Sequence, residues 1–221
     1  RRLLGRQKQG DDIMGFFDHL LRDIRSVIDR DGGQNAIPPL DGALSPNDRL
    51  DTAVPIGEPL PGVDDVIAAG DGAIYVSAGR QVLKLSGSDF ATRAIVAEFE
   101  DDAGGLALHP DGRLLVCVAG RGLAAIDPAK PAPRWLESAG GSALVGLLSV
   151  TAAPDGRIYA VEGSAGRRPS EWRHDLMEKR ANGRLISCGA GLDNPQVLLR
   201  DLPYPYGVMV SADGNSRSEE R

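Results

Sequence analysis

Cysteine is nearly absent from this chain of 221 residues; only Cys117 and Cys188 occur. Both stand in apolar, strand-like surroundings and read as buried free thiols. A bridge between them is the alternative, but sequence alone does not bring them within bonding distance. No run of 18 apolar residues exists, which excludes an ordinary membrane-spanning helix. Lysine is confined to Lys8, Lys84, Lys130 and Lys179, so positive charge is mostly arginine. The formal net charge of −6 argues against a nucleic-acid partner, whose phosphates need a basic face. There is no Gly-X-Ser-X-Gly elbow, no zinc-type His/Cys spacing and no phosphate loop, so none of those chemistries has its motif. The first residues, Arg1-Arg2-Leu3-Leu4-Gly5-Arg6, do not form a secretion signal. A cytoplasmic location is therefore expected, with peripheral membrane contact as the alternative.

What the chain has instead is glycine and proline, 28 and 15 residues, and a repeated hairpin signature. An apolar run, an Asp-Gly pair and a second β-rich run recur at Asp71-Gly72, Asp111-Gly112 and Asp155-Gly156. A last copy begins before Asp213-Gly214. Asp-Gly offers two residues that tolerate positive φ, as a tight hairpin demands. Outer strands follow at residues 81–85, 122–126 and 183–186, and fourth strands at 94–97, 134–136 and 196–199. Hairpin repeats of 40 or more residues without long helices between them mark a β-propeller, and four short strands are the content of one blade.

Three segments depart from that pattern. Phe16, Phe17, Leu20, Leu21, Ile24, Val27 and Ile28 recur at helical spacing and predict an amphipathic helix ended by Gly32-Gly33. Its mixed-charge polar face favours packing against protein, and contact with a membrane surface through residues 16–30 is the alternative. Residues 35–60 form a Pro-rich connector between this N-terminal region, 1–34, and the repeats, 61–221. Residues 165–182 interrupt the third unit as a charged, part-helical insertion of the kind that lies on a binding face.

After Asp213-Gly214 the expected β-rich run gives way to Ser216-Arg217-Ser218-Glu219-Glu220-Arg221, which is too polar for a core strand. The expectation is an all-β fold, a propeller truncated after about three and a half blades. Completion of the ring by partner chains is the rarer alternative.

The insertion with Glu171-Trp172-Arg173-His174-Asp175-Leu176, then Gly183-Arg184-Leu185, Val197-Leu198-Leu199 and Gly207-Val208-Met209-Val210-Ser211-Ala212-Asp213-Gly214, resembles the strictosidine-synthase-like family. That family shares a six-bladed propeller with the gluconolactonase and paraoxonase groups. The resemblance covers roughly residues 60–215 and implies chemistry in a central channel. In its lactonase members a divalent cation, usually calcium, sits at the starts of the innermost strands as a Lewis acid. The corresponding positions, seven before each Asp of Asp-Gly, are Asp64, Gly104, Leu148 and Tyr206. Asp64 is thus the candidate metal ligand. Leu148 offers no donor and Tyr206 a neutral phenol where the relatives carry Asn, so calcium is in doubt.

Two further residues are candidates for catalysis. Glu162 ends an apolar strand and reads either as a channel-facing base or ligand or as an exposed strand-end carboxylate. His174, clustered with Trp172 and Arg173 in the insertion, reads as a substrate contact at the channel mouth or as part of a packed insertion. His109, in a turn, is expected to be exposed and without a role. The expected function is action on a small organic substrate in the channel, with lactone or ester hydrolysis the most economical reaction. The alternatives are a non-catalytic binding or scaffold propeller and an inactive fragment.

Overall fold

In a computed structural model of the chain, residues 45–219 are described, save 56, 128, 129 and 215. The predicted helix at 16–28 lies outside the described residues. The chain divides into two compact units, Arg1–Val54 and Pro55–Arg221. In the first, residues 45–54 form turns closed by the Asp51 amide on the Asp48 carbonyl and the Ala53 amide on that of Leu50.

The second unit is a succession of antiparallel meanders. β1 (Val63–Ala68), β2 (Ile74–Ala78), β3 (Gln81–Ser86) and β4 (Thr92–Glu98) make the first four-stranded sheet. β5 (Ala103–Leu108), β6 (Leu114–Val118), β7 (Gly122–Asp127) and β8 (Lys130–Leu136) make the second. A two-stranded ribbon of β9 (Ser138–Ala139) and β10 (Ser142–Ala143) leads to the third sheet. That sheet holds β11 (Leu147–Ala152), β12 (Ile158–Glu162), β13 (Gly183–Cys188) and β14 (Gln196–Leu202). β15 (Val208–Val210) pairs with β16 (Arg217–Glu219). The polar tail thus forms a strand, but not a core strand, as its composition requires. It is an exposed edge strand, where polar side chains meet water at no cost.

Each Asp-Gly pair closes the first hairpin of a sheet, but not with both residues at positive φ. Only the glycines adopt it, at +81° for Gly72, +89° for Gly112 and +85° for Gly156. Their amides bond the carbonyls of Ala69, His109 and Ala153, three residues back. The aspartates act through their side chains instead. Oδ1 of Asp71, Asp111 and Asp155 accepts the amide two residues on, at 3.0, 3.1 and 2.9 Å. This is the three-residue hairpin in which a type I turn is followed by a left-handed glycine.

The sheets face one another through apolar side chains. β6 is buried at every position. Leu114, Val116 and Val118 join Tyr75, Val82 and Leu106 in a core shared with the first sheet. Leu115 and Cys117, on the opposite face, join Ile158, Ala160 and Ile186 in a core shared with the third. Burial on both sides is why β6 reads as an unbroken apolar run. Each such Leu or Val contributes roughly 1.5–3 kcal/mol relative to exposure. Cys117 and Cys188 are buried free thiols.

The first strands of successive sheets lie against each other, β1 on β5, β5 on β11 and β11 on β15. Their approach is close. A Cβ on Gly105 would stand 2.4 Å from the Leu148 carbonyl oxygen and 2.9 Å from Ser149 Cα. The seams are also stitched by side chains. Asp65 Oδ2 accepts the Leu106 amide at 2.7 Å, and Ser149 Oγ accepts the Val208 amide at 3.4 Å. Asp65, Gly105 and Ser149 occupy equivalent places in their repeats, six before the turn aspartate.

Candidate functional site

Three of the inner strands, β1, β5 and β11, break register at their beginnings. The irregularity falls between Val63 and Asp65 in β1, between Ala103 and Leu106 in β5, and between Leu147 and Ser149 in β11. A bulge turns the extra residue away from the pleat and so re-aims its side chain. The residues at these bulges include Asp64, Gly104 and Leu148. All three line one cleft of about 370 Å³. Asp101 and Asp102 from the loop before β5 line it too, as do Arg168 and Trp172 from the insertion.

Asp64 has the distinctive carboxyl of this cleft. Although Asp64 is open to solvent at the cleft, desolvation by the surrounding protein raises its pKa above the usual 3.8, and the charges of Asp65 and Asp102 push it the same way. Asp65 is already committed, since its oxygens accept the amides of Val66 and Leu106. Arg168 brings the balancing positive charge. Its guanidinium bonds Asp101 at 2.6 Å and rests over Gly120, where a Cβ would come within 2.6 Å of its central carbon. The insertion is therefore latched onto the loop between the first and second sheets. Its start is a 3₁₀ turn (Pro169–Glu171) followed by the helix α1 (Trp172–Glu178).

Glu162 is placed elsewhere. It is fully buried. Its Oε1 accepts the amides of Val145 and Gly146 at 2.7 and 3.1 Å, and its Oε2 accepts Arg184 Nε at 2.7 Å. Arg184 in turn donates to the carbonyls of Ala139 and Ala143 and to Ser142 Oγ. The pair clamps the β9–β10 ribbon to the third sheet. His174 is exposed on α1, and neither it nor Glu162 lines the cleft. Tyr206 is 63% exposed and does not line it either. Of the sequence candidates, then, Asp64 reaches the cleft, whereas Glu162 and His174 do not join it.

His109 is not exposed but buried. Its Nε2 lies 2.9 Å from the Gly156 carbonyl oxygen, and its Nδ1 accepts the Asp111 amide at 3.3 Å. The partner is 47 residues away, so the turn around His109 reads as exposed from sequence. Trp172, read from sequence as part of a cluster at the channel mouth, does line the cleft, whereas Arg168 and Asp102 carry no such reading. The signal that pointed toward Arg168 was the interruption of the repeat at 165–182.

Calcium fits this arrangement poorly. It takes six to eight oxygen ligands. Here Asp65 is occupied, Gly104 and Leu148 bring no side-chain oxygen, and Tyr206 lies outside the cleft. Among the described residues no three His, Cys, Asp or Glu side chains are grouped to hold a metal ion.

No protein-family model matches the sequence. An adipocyte plasma membrane-associated protein of Gallus gallus is 28% identical over 190 residues, 79% of this chain and 46% of that protein. Protein strictosidine synthase-like 4 of Arabidopsis thaliana is 28% identical over 136 residues, 60% of this chain and 37% of its own length. The chain spans about half the length of the first of these relatives. Among solved structures, a gluconolactonase from Xanthomonas campestris superposes with a TM-score of 0.57 at 17% identity, covering 72% of this chain and 54% of that one. A calcium-binding protein, regucalcin, from Agrobacterium tumefaciens gives 0.53 at 17% identity over 73% and 51%. Both likenesses identify the fold as propeller-like.

Proposed function

From its place among the strictosidine-synthase-like proteins of the gluconolactonase and regucalcin propeller superfamily, we propose that the chain binds a small organic molecule in the cleft at Asp64. We propose further that it hydrolyses a lactone or ester there. The observation that carries this reading is the convergence of the inner-strand bulges on one cleft whose leading carboxyl is shifted upward by desolvation. A carboxyl with a raised pKa is a better general base near neutrality than an ordinary aspartate. In this role Asp64 takes a proton from water as that water attacks the acyl carbon, and returns it to the alkoxide oxygen as the ester C–O bond breaks. Leu147, Leu148 and Trp172 supply apolar walls for the body of the substrate, and Arg168 offsets the negative charge of the rim.

The test is turnover of simple γ- and δ-lactones and of phenyl acetate. Asp64→Asn is expected to lower the rate by about 10²–10⁴, the usual weight of a general base. Leu148→Trp, which fills the cleft, is expected to abolish it. Turnover indifferent to both changes removes the cleft from the chemistry.

A second reading is a binding propeller without catalysis. It is supported by the full commitment of Glu162 to Arg184 and to backbone amides, which leaves it unable to assist as a second carboxylate. Ligand-induced thermal stabilisation that Leu148→Trp removes, without turnover, is the outcome that distinguishes it.

The homologues' name suggests a membrane, and among the described residues no helix is long and apolar enough to cross one.

A further inference from the structure

Helix α1 has an inward and an outward face. Asp175 is buried and accepts Ser164 Oγ at 2.6 Å, which fixes the rotation of the helix. That rotation turns Leu176 and Met177 outward, 48% and 81% exposed, and leaves Trp172 at the mouth of the cleft with 42% of its surface open to solvent. Trp172 and Leu176 are four residues apart, as are Arg173 and Met177, so these side chains form one contiguous surface. Three large apolar residues exposed on two turns of helix exceed what an isolated surface position explains.

The surrounding charge is mixed, with an excess of positive groups. Residues 165–182 hold Arg167, Arg168, Arg173, Lys179 and Arg180 against Glu171, Asp175 and Glu178, within a chain of net charge −6. The acidic members are engaged. Glu178 pairs with Arg167 and Arg180, and Glu171 accepts the Arg168 amide. Asp175 is buried. Arg173 lies 5.1 Å from the Trp172 ring centre and extends the cationic rim around it. An exposed Trp and two flexible apolar side chains ringed by Arg and Lys match a bilayer interface. The rings and alkyl chains enter the headgroup boundary, while the cations meet anionic headgroups.

We propose that the outer face of α1 docks the protein on an anionic lipid surface. The contact uses Trp172, Leu176 and Met177 as its apolar wedge and Arg173 and Lys179 as its cationic rim. It does not depend on turnover in the cleft.

The experiment is cosedimentation of the full chain with vesicles of equal parts phosphatidylcholine and phosphatidylserine, and with phosphatidylcholine alone. Binding is expected to the first and to weaken with added salt. The double change Leu176→Asp and Met177→Asp is expected to lower affinity by at least about tenfold, through lost burial and added repulsion. Both side chains are exposed, so an unchanged circular dichroism spectrum and melting temperature accompany that loss. A second readout uses Trp135→Phe, which leaves Trp172 as the lone tryptophan of the two in the chain. Its emission is expected to be quenched by brominated lipid in the anionic vesicles. Vesicle binding unaffected by the double change overturns the proposal and points to another segment. Absence of binding, or absence of Trp172 quenching, also overturns it. A loss of self-association in place of lipid binding overturns it in favour of a second copy as the partner.

Discussion

Replacing Glu162 by Gln tests whether that carboxylate holds the fold rather than serving chemistry. Glu162 and Arg184 are 0% and 3% exposed. In Glu162→Gln the carbonyl oxygen still accepts the Val145 and Gly146 amides. The new NH₂ group, however, faces the Arg184 guanidinium, donor against donor, and leaves a buried cation without its anion. Breaking a buried pair on one side costs roughly 3–5 kcal/mol. That is a large share of the ~5–15 kcal/mol by which domains are stable. For a domain of this size it amounts to a fall in melting temperature of roughly 6–20 °C. The double change Glu162→Leu with Arg184→Met removes both charges and is expected to recover part of the loss. It retains a deficit of roughly 1–3 kcal/mol from the amides that lose their acceptor. Urea denaturation monitored by circular dichroism measures all three proteins. A loss below about 1 kcal/mol for Glu162→Gln refutes the assignment of Glu162 to a structural clamp, since a buried pair cannot be broken so cheaply.

Asp64 links stability to pH in the sense opposite to a salt-bridged carboxylate. Its folded pKa lies above the ordinary 3.8, chiefly through desolvation, so the folded state holds the proton more tightly. Stability is therefore lost as pH rises from the unfolded value through the raised folded one. Asp64→Asn is expected to raise the melting temperature near pH 7 and to leave it unchanged near pH 3; a gain of equal size at both pH values excludes this linkage. Gly105→Ala drives a methyl group into the Leu148 carbonyl and is expected to cost roughly 1–3 kcal/mol in a thermal melt. An unchanged melting temperature contradicts the close approach of β5 and β11. Burial pushes the Cys188 thiol up to about 11 and Cys117 above the usual thiol range. Neither is expected to react with Ellman's reagent until denaturant is added, and prompt labelling of the native protein speaks against the burial of both.

The hairpins were legible because their cause is local. Gly72, Gly112 and Gly156 take positive φ, each aspartate caps its own turn, and apolar runs flank them, all within a dozen residues. The sheet strands accordingly lie within a few residues of where the sequence places them. The inner-strand position seven before the turn aspartate was pointed out by the family resemblance, and its fixed offset carries Asp64, Gly104 and Leu148, though not Tyr206, to one cleft. What was not legible depends on contacts between sheets. The neighbouring position, held by Asp65, Gly105 and Ser149, bears the seam, but only the approach of β1, β5, β11 and β15 reveals it. Glu162 reads as a strand-end acid until Arg184 appears opposite it on β13 in the antiparallel register. The polar composition of residues 216–221 obscured β16, because an edge strand needs no apolar face.

The unequal seams between sheets have a consequence for how the protein comes apart. The second and third sheets share the larger apolar core, whereas the first and second share a smaller one, tied by the Asp65 carboxylate on the Leu106 amide and by the Ala103 amide on the Gly79 carbonyl. Disassembly should begin at the flanks and spare the middle. Under native conditions the amides of β4, β14 and β16 should exchange with solvent early, and those of β6 and β12 should be the last to yield their protons.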